Sequence, residues 1–182
     1  MSRTRKSVMT SPAKDIATSW ARERPDLDPF DYLLPIYLIR IGRIVDRVGD
    51  QKWQRLYGLS ASEIRVLFAL RRSGGDYARR PTDLFKALLV TSGAITKKVD
   101  RLSAAGLVKR RADPADRGGS LVHLTAKGKQ VADQALESLA DDSILSPQQI
   151  SLSRQERKVM TKLCERLLLD FEANPEIDDL FE

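Results

Sequence analysis

The sequence predicts a mainly α-helical fold that carries one small β-hairpin. Apolar residues recur at spacings of three and four along most of the 182 residues, which is the period of a helix with one buried face. Only after Gly106 does the period change to two, in short runs at residues 107–111 and 120–124 that the turn-forming stretch ADPADRGG separates. We therefore expect helices on both sides of a single hairpin.

The N-terminal part is predicted to hold a disordered segment and two helices. Residues 1–11 are basic, and we expect them to be disordered. A short helix begins at Pro12, and the two prolines of RPDLDP end it. A long helix is predicted from near Pro35, because proline is tolerated at a first helical position, to the residue before Gly58. Residues 12–57 are thus assigned to N-terminal helices.

Two short helices are predicted next. Ser60 and Glu63 have the spacing of a capping box, which satisfies free amides at a helix start. The apolar residues that follow, closed by the pair Gly74-Gly75, complete a short amphipathic helix. A second helix is predicted from Pro81 or Thr82 to Leu88.

A third helix is predicted over residues 91–104, with Thr91 or Ser92 as its cap. Its buried stripe consists of Ile95, Val99 and Leu102, and its opposite face is polar and cationic. After the hairpin, helices begin near Thr125 and Ser153 and occupy residues 126–182. Three helices and a hairpin over residues 58–125 form the pattern of a winged helix-turn-helix, held here between N- and C-terminal dimerisation helices.

Charge is concentrated in the middle of the chain. Residues 80–130 hold 11 Lys and Arg against 4 Asp and Glu, whereas residues 131–182 hold 5 against 12. A basic middle predicts a polyanionic partner. The hairpin follows directly after the 91–104 helix, so we expect it beside the groove that this helix enters.

Double-stranded DNA is therefore the predicted partner. The helix is expected to reach base edges or phosphates in the major groove, Arg117 the narrow minor groove, and the cations of the first strand the flanking phosphates. Asp113 or Asp116 is expected to hold the loop by bonding its amides or by pairing with an arginine. The candidate DNA-binding residues are Thr91, Ser92, Gly93, Thr96, Lys97, Lys98, Arg101, Lys109, Arg110, Arg111, Asp116 and Arg117.

Several function classes are not expected. One His, His123, and one Cys, Cys164, cannot form a zinc site of ordinary type or a catalytic triad, so we expect no metal, no cofactor and no catalysis. Cys164 is interpreted as an inert core or interface residue. A single cysteine fits a reducing cytoplasm, and no apolar run approaches the ~20 residues of a membrane span.

Two stretches, LSASEIRVLFALRRSG and PTDLFKALLVTSGAITKKVDRLSAAGLVKRRADPADRGGSLVHLTAKG, resemble the core of the MarR family of bacterial regulators over roughly residues 59–130. The resemblance implies a homodimer that binds a palindromic operator, usually represses transcription and is released by a small aromatic compound. That compound is expected between the dimer helices and the winged domain. Asp116 and Arg117 match the Asp-Arg pair of the family's wing, whereas Gly118 replaces a common second arginine and is expected to loosen the tip.

SWARERPDLDP, together with LRRSGGDYARRPTDLFKALLVTSGAITKKVDRL, is similar to the PecS-like, urate-type branch of the family. Trp20 matches that branch's ligand-stacking tryptophan, although it could equally anchor the N-terminal helix. Position 65 is Arg where that branch often has an acidic residue. The resemblance therefore implies a planar aromatic ligand of broader class, which is expected to be anionic and would suit Arg40 or Arg65.

Two alternatives to a ligand-released repressor stay open at this point. One is a constitutive DNA binder without ligand control, since pocket residues cannot be told from core residues in a sequence. The other is a winged-helix interaction module, although such a module does not need the charge of the basic middle.

Overall fold

The computed structural model describes residues 12–141, 144, 149–174 and 176. The segment 1–11, predicted to be disordered, lies outside the described residues. Contacts divide the chain into two compact units, residues 1–47 and 48–182.

The first unit contains helix α1 (Pro12–Glu23) and the first part of helix α2 (Pro29–Tyr57). The prediction that the long helix begins near Pro35 is wrong, because α2 begins at Pro29 and Pro35 lies inside it. Either proline can occupy a first helical position, and the apolar spacing continues upstream to Pro29. Pro35 has no N–H to offer the carbonyl four residues earlier, and the helix continues past it.

The second unit holds the remaining elements and confirms the predicted fold class. Its elements are α3 (Ala61–Arg71), β1 (Ala78–Arg79), α4 (Pro81–Leu88), α5 (Ser92–Ala104), β2 (Val108–Ala112), β3 (Ser120–Leu124), α6 (Ala126–Asp141) and α7 (Arg154–Glu172). The hairpin strand predicted to begin at Leu107 begins one residue later. Strand β1 was not predicted, and it makes the hairpin part of an antiparallel sheet of order β1-β3-β2.

Helix α3 is the centre of the hydrophobic core. Its side chains Val66, Leu67 and Leu70 are fully buried. The predicted stripe of α5 packs into the same cluster, with Ile95, Val99 and Leu102 at most 1% exposed. Burying a large aliphatic side chain stabilises a fold by about 1.5–3 kcal/mol, so this cluster fixes α5 on the second unit with its opposite face outward.

Two helix starts form the caps that the sequence predicted. At α3, the Ser60 side chain accepts from the Glu63 amide, and the Glu63 carboxylate accepts from the Ser60 amide at 2.8 Å. At α5, Thr91 rather than Ser92 is the cap, and Ser92 is the first helical residue. Each such cap contributes about 1 kcal/mol.

The base of the hairpin is fastened to the start of α6. The Thr125 hydroxyl donates to the carbonyls of Gly106 (2.8 Å) and Leu107 (3.1 Å) and accepts from the Gly128 amide at 3.0 Å. Gly128 is required here because a methyl group at its Cα would fall on the Leu107 carbonyl oxygen. The sequence LTAKG is thus the joint between the wing, defined here as residues 108–124, and α6.

Helix α7 has no buried residue within the part of the chain that the structure describes. Its capping box, Ser153 with Glu156, is formed as predicted. Its exposed apolar side chains are Val159, Met160, Leu163, Leu168, Leu169 and Phe171. Among the described residues, no helix is both long enough and apolar enough to cross a membrane.

Candidate nucleic-acid interface

The outward face of α5 presents an exposed lysine beside open space. Lys97 is exposed, and a methyl group built on Gly93 meets nothing within 4 Å, so another molecule can approach the backbone there. The Thr96 hydroxyl donates to the Ser92 carbonyl at 3.2 Å, while Lys98 is half-buried at the edge of the face. The candidates of the helix therefore share one accessible surface around Lys97.

Ion pairs lie on both flanks of this face. Asp100 Oδ1 accepts from Arg110 Nη2 of the wing at 2.6 Å. On the other flank, Arg101 Nε lies 3.2 Å from Glu63 Oε1 of α3. Arg101 and Arg110 were both expected to reach DNA, and the structure gives each of them a carboxylate partner within the chain.

The three consecutive cations of the wing do not point the same way. In the antiparallel register, Arg110 lies opposite the fully buried Val122, while Lys109 and Arg111 lie opposite His123 and Leu121. Because side chains alternate across a strand, Arg110 shares the face that meets α5, and Lys109 and Arg111 lie on the other face. This division separates the three adjacent cations and so reduces the electrostatic repulsion among them.

Asp113 holds the base of the wing turn, as one of the two predicted candidates. Its Oδ1 accepts from the Ala115 amide at 2.9 Å, and its Oδ2 accepts from Arg80 Nε at 2.6 Å. The Ala115 amide and then the Arg80 guanidinium lower the pKa of Asp113 below its ordinary value. The hydrogen bond to Asp113 in turn raises the pKa of Arg80. Since Arg80 directly precedes α4, this bond ties the wing to the start of the helix-turn-helix.

The tip of the wing is a compact turn with an arginine at its end. The Gly119 amide donates to the Asp116 carbonyl at 3.0 Å, and the Asp113 amide donates to the Gly119 carbonyl at 3.0 Å. Gly118 has a φ of +92°, a conformation that L side chains rarely adopt. The turn therefore favours glycine at position 118, where this chain departs from the second arginine that the resemblance makes common. Arg117 beside it is exposed.

The surface formed by α5 and the wing carries several cations that have no acidic partner in the part of the chain that the structure describes. Within the described residues, five side chains of α5 and the wing form no ion pair: Lys97, Lys98, Lys109, Arg111 and Arg117. Uncompensated cations around one helix and one hairpin attract a polyanion, whereas Arg101 and Arg110 have carboxylate partners within the chain.

The candidate ligand residues lie in different parts of the chain. In the first unit, Trp20 is 48% exposed and its ring meets the Tyr32 ring edge-on, with centroids 6.3 Å apart. The buried Tyr32 hydroxyl has no hydrogen-bond partner among the described residues. Arg40 is exposed on α2, and Arg65, in the second unit, is exposed on α3.

Cys164 lies on the surface of α7 rather than in the core. The prediction of a core position is therefore wrong, because no side chain of α7 is buried among the residues that the structure describes, and the interface alternative stays a prediction. Cys164 lines an open groove along α7 with Met160 and Leu168. Across the described ranges, no three His, Cys, Asp or Glu side chains are grouped to hold a metal ion.

Sequence reasoning missed the pairings that position the interface, which join Asp113 to Arg80 and Arg101 to Glu63. Arg80 and Asp113 are 33 residues apart, and Glu63 and Arg101 lie on α3 and α5, with β1 and α4 between them in the chain. No periodicity connects such partners. The burial of Glu63, at 1% exposure, shows only in the folded chain, although its capping-box position made it identifiable as a helix-start residue.

Known proteins are similar to the chain in sequence. A family model for the MarR family matches residues 57–117. The HTH-type transcriptional regulator PecS of Dickeya dadantii (strain 3937) is 35% identical over 135 residues, which cover 73% of this chain and 81% of that protein. The multiple antibiotic resistance protein MarR of Escherichia coli (strain K12) is 32% identical over 58% of this chain and 75% of its own.

Solved structures share the fold. Sco3205, a MarR family transcriptional regulator from Streptomyces coelicolor in complex with DNA, gives a TM-score of 0.69 over 84% of this chain and 93% of its own. At 22% identity this likeness concerns the fold alone. A mutant MarR from E. coli complexed with operator DNA gives 0.63 at 28% identity, over 78% of this chain and 99% of that chain.

Proposed function

Because this chain belongs to the MarR family of transcriptional regulators and carries its DNA-binding winged helix, we propose that it acts as a homodimeric repressor of a palindromic operator. The observation that carries this proposal is the set of unpaired cations on α5 and the wing. Lys97, Lys98, Lys109, Arg111 and Arg117 have no acid partner among the described residues, and DNA phosphates would compensate them.

Each part of the surface has a proposed role in reading DNA. Helix α5 enters the major groove, where Gly93 permits close approach and Lys97 reaches a base edge. Thr91, Ser92 and the amides of the helix start meet a phosphate. Arg117 enters the adjacent minor groove, while Lys109 and Arg111 meet the phosphates beside it.

A dimer supplies the specificity that one winged helix lacks. A single module contacts too few base pairs to select a genomic site, and two modules related by a two-fold axis read half-sites about one helical turn apart. The exposed apolar side chains of α7, such as Leu163 at 56% and Leu169 at 58% exposure, support a self-association surface. We propose that α7 and the N-terminal helices form it.

Release from DNA is proposed to follow the binding of an aromatic, anionic ligand. Trp20 is the proposed stacking residue, and its exposed ring supports this role. Arg40 or Arg65 is the proposed partner of the anion. Such a ligand controls DNA binding only by the difference in its affinity for the bound and released arrangements. A binding protein of this kind needs no catalytic group.

Fluorescence anisotropy on DNA from upstream of the chain's own gene tests the proposal. We expect tighter binding to this duplex than to a scrambled one, an affinity that falls steeply with salt, and release by one member of a panel of aromatic acids. Selective binding that no compound alters would leave a constitutive DNA binder. Equal binding to the scrambled duplex would contradict the proposal and favour an interaction module.

A further inference from the structure

Arg101 occupies a different position from the other cations of α5. Successive helical residues are rotated by about 100°, so Asp100 and Arg101 lie on opposite flanks when Ile95, Val99 and Leu102 face the core. Asp100 meets the wing through Arg110 at 2.6 Å, and Arg101 meets α3 through Glu63 at 3.2 Å. The outward centre between the flanks belongs to Lys97.

Glu63 is fixed so that one of its oxygens faces Arg101. Its side chain is 1% exposed, and its Oε2 accepts from the Ser60 amide at 2.8 Å and from the Ser60 hydroxyl at 3.0 Å. The capping box therefore holds Oε2, and Oε1 is left for Arg101 Nε. A buried carboxylate is costly without a cationic or hydrogen-bonding partner. The ion pair therefore both neutralises Glu63 and holds the side chain of Arg101 against α3.

The same turn of α3 is also tied to α2. The Ala61 amide donates to Asp50 Oδ1 at 2.6 Å. Two carboxylates at one helix start thus join three helices: Asp50 links α2 to α3, and Glu63 links α3 to α5. Because the ion pair lies on a flank of α5, it adds a constraint on the rotation of that helix about its axis to the one that its buried stripe provides.

We propose that Arg101 is a positioning residue, which sets the orientation of α5 through Glu63 and does not contact DNA. This inference rests on the DNA binding proposed above and replaces the expectation that Arg101 reaches base edges or phosphates. Its side chain is 67% exposed, so exposure alone does not separate the two roles, whereas the effects of Glu63 do.

Glu63→Gln gives the sharpest test, because the two roles predict opposite signs. Glutamine keeps the capping box but removes a negative charge and frees Arg101. If Arg101 contacts DNA, the variant should bind the operator more tightly. If Arg101 is a positioning residue, the variant should bind about fivefold more weakly, the upper range for an ion pair with an exposed partner. The melting temperature of each variant establishes that it is folded.

Arg101→Met and Arg111→Met provide a matched pair. Arg111 has no ion pair among the described residues and is a proposed phosphate contact, so its loss should reduce the slope of log affinity against log salt by about 0.9. Arg101→Met should weaken operator binding about fivefold with the slope unchanged. The double variant Glu63→Gln/Arg101→Met should bind no more weakly than either single variant. A slope reduced as in Arg111→Met, or tighter binding by Glu63→Gln, would show that Arg101 contacts DNA and overturn the inference.

A second measurement separates this inference from the proposed function. If the wild-type protein shows no operator preference, the DNA-binding proposal fails. Urea unfolding of the free protein still tests whether the Glu63–Arg101 ion pair acts as a unit. We expect the effects of Glu63→Gln and Arg101→Met on the unfolding midpoint to be non-additive, as for residues in contact. Additive effects would show that the two side chains do not act together, and the positioning role would be wrong.

Discussion

Gly128→Ala tests the joint between the wing and α6. Gly128 lies in the first turn of α6 and is buried. A methyl carbon built there falls on the Leu107 carbonyl oxygen and lies 2.9 Å from both the Leu107 carbonyl carbon and Leu124 Cδ1. Two of these three neighbours belong to backbone, so the clash is relieved only if α6 moves away from the base of the wing.

The expected change in the free energy of unfolding of Gly128→Ala follows from three contributions. Overpacking of this kind costs about 1–3 kcal/mol. Displacement of α6 also lengthens the bonds from the Thr125 amide (3.0 Å) and hydroxyl (3.1 Å) to the Leu107 carbonyl, each worth about 1 kcal/mol. Alanine recovers at most about 1 kcal/mol through its higher helix propensity. The net change in the free energy of unfolding is therefore a loss of about 2–4 kcal/mol.

Thermal unfolding measures this loss, and Gly93→Ala is the matched control. For a chain of this size, we expect the melting temperature of Gly128→Ala to fall by roughly 4–16 °C. Gly93 is also helical, but a methyl group there meets nothing within 4 Å, so Gly93→Ala should melt at or slightly above the wild-type temperature. A Gly128→Ala variant as stable as the wild type, or an equal loss in Gly93→Ala, would refute the reasoning.

Four further predictions concern the wing, α5 and α7. The Ala115 amide and then Arg80 lower the pKa of Asp113 from its ordinary 3.8, so its ionised form stabilises the fold above that value and loses this effect as the pH falls through the lowered pKa. The melting-temperature difference between wild type and Asp113→Asn should be constant above about pH 5 and close below about pH 4. In anisotropy titrations, Arg117→Ala should weaken operator binding, and unchanged affinity would exclude its minor-groove role. Lys97→Ala should relax base preference at one operator position by about 1–3 kcal/mol, measured on single-base variants of the duplex; a uniform loss would make Lys97 a phosphate contact. Leu163→Asp should dissociate the dimer in sedimentation experiments, and an intact dimer would place the interface elsewhere.

Local signals made most of the fold predictable. Capping boxes at Ser60 and Ser153 and the stripe of α5 depend on residues three or four positions apart, and the structure forms all of them. The predicted start of α2 was wrong because Pro29 and Pro35 can both occupy a first helical position. Strand β1, two residues long, has no period of its own and exists only because Ala78 and Arg79 pair with β3.

The candidate site was predictable as a surface and not as a set of roles. The sequence places seven of the eleven cations of residues 80–130 on one helix and one hairpin, and the structure forms both elements. It does not distinguish Arg101 and Arg110, which have carboxylate partners, from Lys97 and Arg117. That distinction depends on Glu63 and Asp100, and which carboxylate meets which cation is decided by the packing of α3 and the wing against α5.

The most direct measurement of the central claim compares two spacings of one operator. A duplex selected by the protein from a randomised pool is titrated by anisotropy, beside the same duplex with about half a helical turn, roughly 5 bp, inserted at its centre. A two-fold dimer that reads successive major grooves should bind the inserted duplex far more weakly, because its two winged helices no longer face both half-sites. Equal affinity for the two duplexes would contradict the account, since each chain would then be binding DNA on its own.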